Sequence, residues 1–244
     1  MSWNGNDGIN KGVKERGFTL DVEGREVPGV YWAPEDGSSK RLVLLGHGGT
    51  THKKVEYIER LASLLVARGM AAMAIDGPGH GDRRAADASA NTLDEFPSMW
   101  NAGGGTEAVV ADWNAALNFI EAEEGARPTG WWGLSMGTMM GLPVTATDKR
   151  IKVALLGLMG GGGVNGADLL RMAPDVQCPV RFLLQWDDDL IPLKEGLELF
   201  DRLGTKHKTL HVNPGLHSAV PMFEMFTASV DYLDQRLKLS LIHI

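Results

Sequence analysis

The chain has one cysteine, Cys178, among 244 residues, so it cannot close an internal disulfide and must rely on a packed core. A reducing compartment suits such a chain, and a cytoplasmic location is expected. No apolar run approaches the ~18 residues that a membrane span requires. The opening stretch MSWNGNDGINKGVKERG is polar and glycine-rich, so no signal peptide is expected there. Positive charge is in short supply too. The 24 Lys and Arg stand against 31 Asp and Glu, and the net charge of −7 argues against an extended nucleic-acid surface. No G-x-x-x-x-G-K-[ST] phosphate loop occurs. Gly77-Pro78-Gly79-His80-Gly81 follows a strand pattern, but its third glycine comes one position too early for a dinucleotide fingerprint. His47 and His52 have no tight second cluster beside them, so neither a metal nor a cofactor is expected.

What remains is a chain with 43% hydrophobic and 23% charged residues, the balance of an ordinary globular domain. Short apolar runs alternate with helical patterns. GFTLDV (17–22) and EVPGVYWAP (26–34) read as an opening antiparallel pair. RLVLLG (41–46), MAAMAID (70–76), TGWWGL (129–134), IKVALLGL (151–158), PVRFLLQW (179–186) and KTLHV (208–212) read as further strands, several apolar enough to be covered on both faces. Between them, Val55, Ile58, Ala62, Leu65 and Val66 share one helical face, as do Val110, Trp113, Leu117 and Ile120. A crossover helix is expected at 166–172, another around Leu193–Leu203, and a last one around Phe223–Leu237. This series predicts a mostly parallel sheet of about eight strands, antiparallel at its N-terminal edge, with helices on both faces. Residues 1–16 form a polar leading segment and 17–238 a single domain without a large lid. The stretch 82–105 is expected to be a surface loop. The closing LSLIHI (239–244) matches the translation of a transposon end used in short-read library preparation; it is expected to be read-through from assembled environmental reads, outside the fold.

Ligands of an open α/β sheet bind beyond the carboxyl ends of its strands, and four stretches fall there. Gly133-Leu134-Ser135-Met136-Gly137 joins a strand to a helix and fits the Gly-x-Ser-x-Gly elbow, with Ser135 as nucleophile. Leu45-Gly46-His47-Gly48-Gly49-Thr50 turns with backbone N–H groups free for an anion. One of these, from Gly49 or Thr50, would pair with the N–H of Met136 as an oxyanion hole. His47 is expected to be a buried brace for these loops. Asp187, Asp188 and Asp189 offer an acid at a strand end, and spacing alone does not choose among them. His217 lies on the loop after the last strand, where its imidazole can serve as general base, whereas His207 and His211 belong to the strand region. Trp100 and Met159, with Met136, Met139 and Met140, are expected to form an apolar wall for substrate, although core packing would explain Met139 and Met140 as well. Cys178, just before Pro179, is expected to pack rather than react.

The order Ser135, acid, His217 is that of the α/β-hydrolase triad. Across about 17–238 the chain resembles the small lidless serine hydrolases around dienelactone hydrolase and their acyl-hydrolase and peptidase-like relatives. Asp76-Gly77-Pro78-Gly79-His80-Gly81-Asp82-Arg83 is similar to the D-x-P-G-H-G-x-R loop of those relatives and implies a structural loop near the site. In such hydrolases the acid commonly stands four residues before the proline of an Asp-x-x-[Val/Ile]-Pro stretch, which points to Asp188 ahead of Pro192. Dienelactone hydrolases typically carry a cysteine nucleophile; Ser135 in its place favours ordinary carboxylic esters, short-chain ones first. The partner implied is a small-molecule ester, with no nucleic acid and no membrane. A thioesterase, lactonase or peptidase would use the same triad, and a non-catalytic ligand-binding protein can share the fold.

Overall fold

The computed structural model describes residues 2–5, 8–84 and 93–240. Among these, ten strands form one sheet: β1 (Ser2–Trp3), β2 (Gly8–Asn10), β3 (Val13–Val22), β4 (Arg25–Pro34), β5 (Leu42–Gly46), β6 (Ala71–Ile75), β7 (Thr129–Gly133), β8 (Ile151–Gly157), β9 (Val180–Gln185) and β10 (Lys208–Asn213). Their order across the sheet is β1-β3-β4-β6-β5-β7-β8-β9-β10, with β2 also paired to β3. From β6 to β10 neighbouring strands are parallel, while β4 runs antiparallel to both β3 and β6. This is an α/β-hydrolase arrangement.

The central strands are buried on both faces because their side chains alternate between two apolar layers. Leu42, Leu44, Met73 and Trp131 face one layer; Val43, Leu45, Ala72 and Trp132 face the other. The first layer is closed by α3 (Gly105–Glu124), α4 (Met136–Thr147), α5 (Gly166–Met172) and α6 (Leu193–Arg202). The second is closed by α1 (Glu56–Val66) and α7 (Ser229–Ser240). α1 buries Ile58, Leu61, Ala62, Leu65 and Val66 on one stripe, with Glu56 and Glu59 at its positive end. α4 is different: nearly every residue in it is buried, as its uniformly apolar sequence requires.

Two stretches depart from the sequence expectation. Residues 2–16 are not a detached leader. Trp3 pairs with Phe18 in the sheet, and their rings meet edge to face at 6.1 Å, so an isolated aromatic in a polar context found an apolar neighbour far along the chain. The described part of 82–105 is not all surface loop either. Its residues 85–92 lie outside the described residues, but Phe96–Ala102 forms the short helix α2, which buries Phe96 and Trp100. Of the tail 239–244, Leu239 and Ser240 continue α7, and 241–244 lie outside the described residues. No helix among the described residues is long and apolar enough to cross a membrane.

Charge fixes how the layers meet. Asp112 of α3, 1% exposed, accepts hydrogen bonds from Arg83 Nη1 at 2.8 Å and Arg25 Nη2 at 3.1 Å. Asp234 of α7 pairs with Arg41 just before β5. A buried carboxylate of this kind is weak evidence of net stabilisation, but removing it strands the opposite charges. Asp112→Ala is therefore expected to lower unfolding stability by about 3 kcal/mol, measured by urea denaturation. It should also loosen the 76–83 loop that Arg83 ties down.

Candidate active site

The site grows from the junction of β7 and α4. The chain leaves a buried strand and enters a buried helix with only Leu134 and Ser135 between them. Such a turn forces Ser135 to φ +56°, ψ −120°, a conformation that costs a non-glycine residue about 1–3 kcal/mol. Glycine stands where the turn closes on its neighbours. A Cβ on Gly137 would lie 2.4 Å from the Gly46 carbonyl oxygen, and one on Gly133 would lie 2.6 Å from that of Gly137. The turn is pinned from beneath as well. The Ser135 N–H donates to the Gly157 carbonyl at 2.9 Å, and the Gly157 N–H donates to Thr138 Oγ1 at 2.7 Å.

Sheet register delivers the other groups. β9 and β10 end level, with Gln185 opposite Asn213, so the loops that follow lie side by side. His217 Nε2 stands 2.9 Å from Ser135 Oγ. Its Nδ1 meets Asp188 at 2.8 Å to Oδ2 and 3.0 Å to Oδ1. The Asp188 side chain is 2% exposed, and its Oδ1 also accepts the N–H groups of Leu190 and Ile191 at 2.9 and 2.8 Å. The neighbouring acids face the same loop but reach its backbone. Asp189 Oδ1 accepts the His217 N–H at 3.0 Å, which holds its carboxyl below the usual range, and Asp187 Oδ2 accepts the Gly215 N–H at 3.3 Å. These two acids thus bind the backbone of the histidine loop.

Above the nucleophile, the loop after β5 carries three successive amides of different fate. The Gly48 N–H donates to Tyr57 Oη at 2.6 Å and the Thr50 N–H to His80 Nε2 at 3.1 Å. Thr50 is thereby removed as an oxyanion donor, a correction that the sequence could not supply because His80 arrives from another loop. The Gly49 N–H and the Met136 N–H have no partner among the described residues, and Gly49 borders both cavities beside Ser135.

His47 and His80 share one design. His47 Nδ1 donates to the Gly48 carbonyl at 2.8 Å, and Nε2 accepts the Gly77 N–H at 2.9 Å. His80 Nδ1 donates to the Pro78 carbonyl at 2.8 Å while Nε2 takes the Thr50 N–H. Each ring must be neutral to accept. Burial agrees, pushing His47 down to about 4 and lowering His80 as well. Behind them Asp76, fully buried, binds Lys53 Nζ at 2.6 Å and the Asp82 N–H at 2.9 Å, so the 76–83 loop acts as scaffold.

Two cavities open on Ser135. One, of about 270 Å³, is walled by Phe96, Pro97, Met139, Met159, Val164 and Ile191. The other, of about 400 Å³, is walled by Tyr57, Trp132, Leu134, Leu158, Val220 and Met225. Leu190 borders both. Met159 and Met136 stand where the wall was expected. Trp100 does not: it is 3% exposed and stacks behind Phe96 at 6.2 Å, so Phe96 presents the aromatic surface instead. Met140 is wholly in the core. Phe96 and Pro97 went unnoticed in the sequence because they sit in its least regular stretch. Cys178 lines neither cavity, and burial pushes its thiol up to about 12.

The depressed histidines set an expectation for stability. The unfolded chain takes up a proton at His47 between about pH 6.5 and 4, whereas the folded chain does not. Stability should therefore be full above that window and fall as pH drops through it. The slope from His47 alone approaches about 1.4 kcal/mol per pH unit. Urea midpoints at pH 7.5, 6 and 5 measure it, and His47→Gln should show a shallower dependence.

The geometry agrees with what the chain is similar to. The family model described as serine aminopeptidase, S33, matches residues 37–162, about half of the chain. The PEG-bound structure of a cold-adapted esterase from an Arctic intertidal metagenomic library is 73% identical, covering 97% of this chain and 100% of that one, with a TM-score of 0.93. The fold is shared with an acetyl xylan esterase from Paenibacillus sp. R4, 19% identical over 95% of this chain and 88% of that one (TM-score 0.73). It is also shared with a dienelactone hydrolase from Anabaena variabilis, 17% identical over 92% of this chain and 97% of that one (TM-score 0.69). No curated protein matches the chain. With the elbow, the strand order and the 73% identical relative in agreement, the chain belongs to the serine aminopeptidase S33 family of α/β-hydrolases.

Proposed function

We propose that the chain cleaves carboxylic esters through an acyl-enzyme on Ser135, with His217 as general base, Asp188 as its orienting acid and the Gly49 and Met136 N–H groups as oxyanion hole. The observation that carries this reading is the unbroken line from Asp188 through His217 to Ser135 Oγ, 2.8 and 2.9 Å per link. Ser135 Oγ attacks the ester carbonyl carbon as its proton passes to His217 Nε2. The carbonyl oxygen takes the negative charge between the two N–H donors, each able to contribute roughly 3–4 kcal/mol in the transition state. Collapse breaks the acyl–oxygen bond, and the leaving alcohol takes the proton from His217. Water then repeats the sequence on the acyl-enzyme and restores Ser135. Asp188 holds the Nδ1–H tautomer and balances the imidazolium. The 73% identical relative is an esterase, which supports the same bond type here.

The apolar walls of both cavities suit neutral acyl and alkyl groups. Cavities of about 270 and 400 Å³, with Met159 and Phe96 on the smaller one, support a short-chain preference. A small-molecule ester in the cytoplasm is the substrate setting this reading adopts, and the lone, half-buried Cys178 is consistent with a reducing compartment.

Ser135→Ala should abolish p-nitrophenyl butyrate hydrolysis and prevent labelling by a fluorophosphonate, whose mass should otherwise appear on the peptide carrying Ser135. Asp188→Asn should lower kcat by up to about 10⁴-fold. Asp187→Asn and Asp189→Asn keep an oxygen for the backbone N–H they hold and should cost far less; a crippled Asp189→Asn beside an active Asp188→Asn would reassign the acid. In the substrate series, kcat/KM for butyrate esters should exceed that for palmitate esters, and the reverse order would mean that the pocket opens further than its walls suggest.

A further inference from the structure

The Gly49 N–H is a useful donor only if its peptide plane is held still, and neither residue beside it has strand pairing to do so. Gly48 lacks a Cβ, and Thr50 sits at φ +62°. His47 Nδ1 holds the Gly48 carbonyl, and two side chains from farther along the chain hold the flanking N–H groups. His80 takes the Thr50 N–H, as described. Tyr57, the second residue of α1, takes the Gly48 N–H at 2.6 Å, the shorter of the two bonds. The tyrosine contact is also part of a closed ring. Thr51 Oγ1 donates to the Gly48 carbonyl at 2.7 Å and lies 3.4 Å from Tyr57 Oη. With the tyrosine O–H directed at Thr51, the ring runs from Gly48 N–H to Tyr57, to Thr51 and back to Gly48 C=O. One hydroxyl pair therefore reaches both polar ends of the residue that precedes the free donor, sharing the carbonyl end with His47 Nδ1.

We propose that Tyr57 is a positioning residue for the oxyanion hole, its hydroxyl fixing the Gly48 peptide so that Gly49, and neither neighbour, presents its N–H to the substrate oxygen. The inference rests on the acyl-transfer reading of Ser135. Tyr57 touches no reacting atom; it acts through the loop. Without its hydroxyl, Gly48 N–H loses its partner and Thr51 loses the hydroxyl that orients it, so the Gly48 carbonyl is left to His47 and a slacker Thr51, and the donor drifts from a position that must be held to well under 1 Å. The ground-state ester makes little use of that donor, whereas the tetrahedral intermediate depends on it.

Tyr57→Phe keeps the ring on the wall of the 400 Å³ cavity and removes only the oxygen. With p-nitrophenyl butyrate, kcat should fall about 10- to 100-fold with KM changed less than about twofold. Inhibition by a trifluoromethyl ketone, which adds Ser135 to form an oxyanion, should weaken by the same factor as kcat/KM, whereas a non-reactive alcohol analogue should bind as before. A purely structural tyrosine would lower thermal stability without that matched loss. The proposal is overturned if Tyr57→Phe keeps kcat/KM within about twofold of the parent, or if ketone and alcohol analogue weaken alike. Ser135→Ala, assayed beside it, separates the two readings. Activity surviving in Ser135→Ala overturns the acyl-enzyme itself, whereas an inactive Ser135→Ala beside a fully active Tyr57→Phe overturns only the role of Tyr57.

Discussion

Everything at the site hangs on the contact between Gly137 and the end of β5. The two backbones approach so closely that a Cβ on Gly137 would stand 2.4 Å from the Gly46 oxygen. That closeness lets α4 begin close to the loop of residues 47–50, so that Met136 and Gly49 border one cavity with Ser135. A helix displaced by one methyl group would separate the two donors and relax the turn that raises the serine. The strain at Ser135 is tolerable because the Gly157 backbone and the Thr138 hydroxyl over-determine the turn from below. Burial of α4 on all sides then keeps the whole assembly from shifting.

A second constraint works through loops instead of packing. Asp187, Asp188 and Asp189 look like a solvated acidic turn, yet each reaches the stretch Gly215–His217. One orients the imidazole and the other two hold the backbone that carries it. The imidazole is thus set by three carboxylates with a single direct contact, which frees His217 from needing a rigid element of its own. The level ends of β9 and β10 make this possible, because they start both loops at the same height.

The loop after β5, which carries the proposed oxyanion donor, follows the same logic with neutral partners. His47, His80 and Tyr57 all accept backbone N–H groups, and all are kept uncharged by burial. Neutral acceptors fix a peptide without adding a field that would oppose the charge developing on the substrate oxygen. The buried charges stand away from the nucleophile: Lys53 with Asp76 ties two loops together, and Arg83 with Asp112 ties the second of them to α3.

Strand alternation and helical spacing determined the sheet, most element boundaries and the chain order of Ser135, Asp188 and His217, because these depend on local periodicity and on motifs a few residues long. The choice of Asp188 among three acids came from the resemblance to hydrolases with an Asp-x-x-[Val/Ile]-Pro stretch, here ending at Pro192. Trp100 and Thr50 were misplaced for the opposite reason. Whether Trp100 or Phe96 faces the cavity depends on the turn of a short helix in an irregular stretch, and whether Thr50 has a free N–H depends on His80, thirty residues away. The strands in residues 2–16 were hidden because an edge strand takes its definition from its partner. Residue types set which groups could do the chemistry; only tertiary packing decided which amide was left unpaired, since a hydrogen bond between distant loops leaves no mark on the spacing of either.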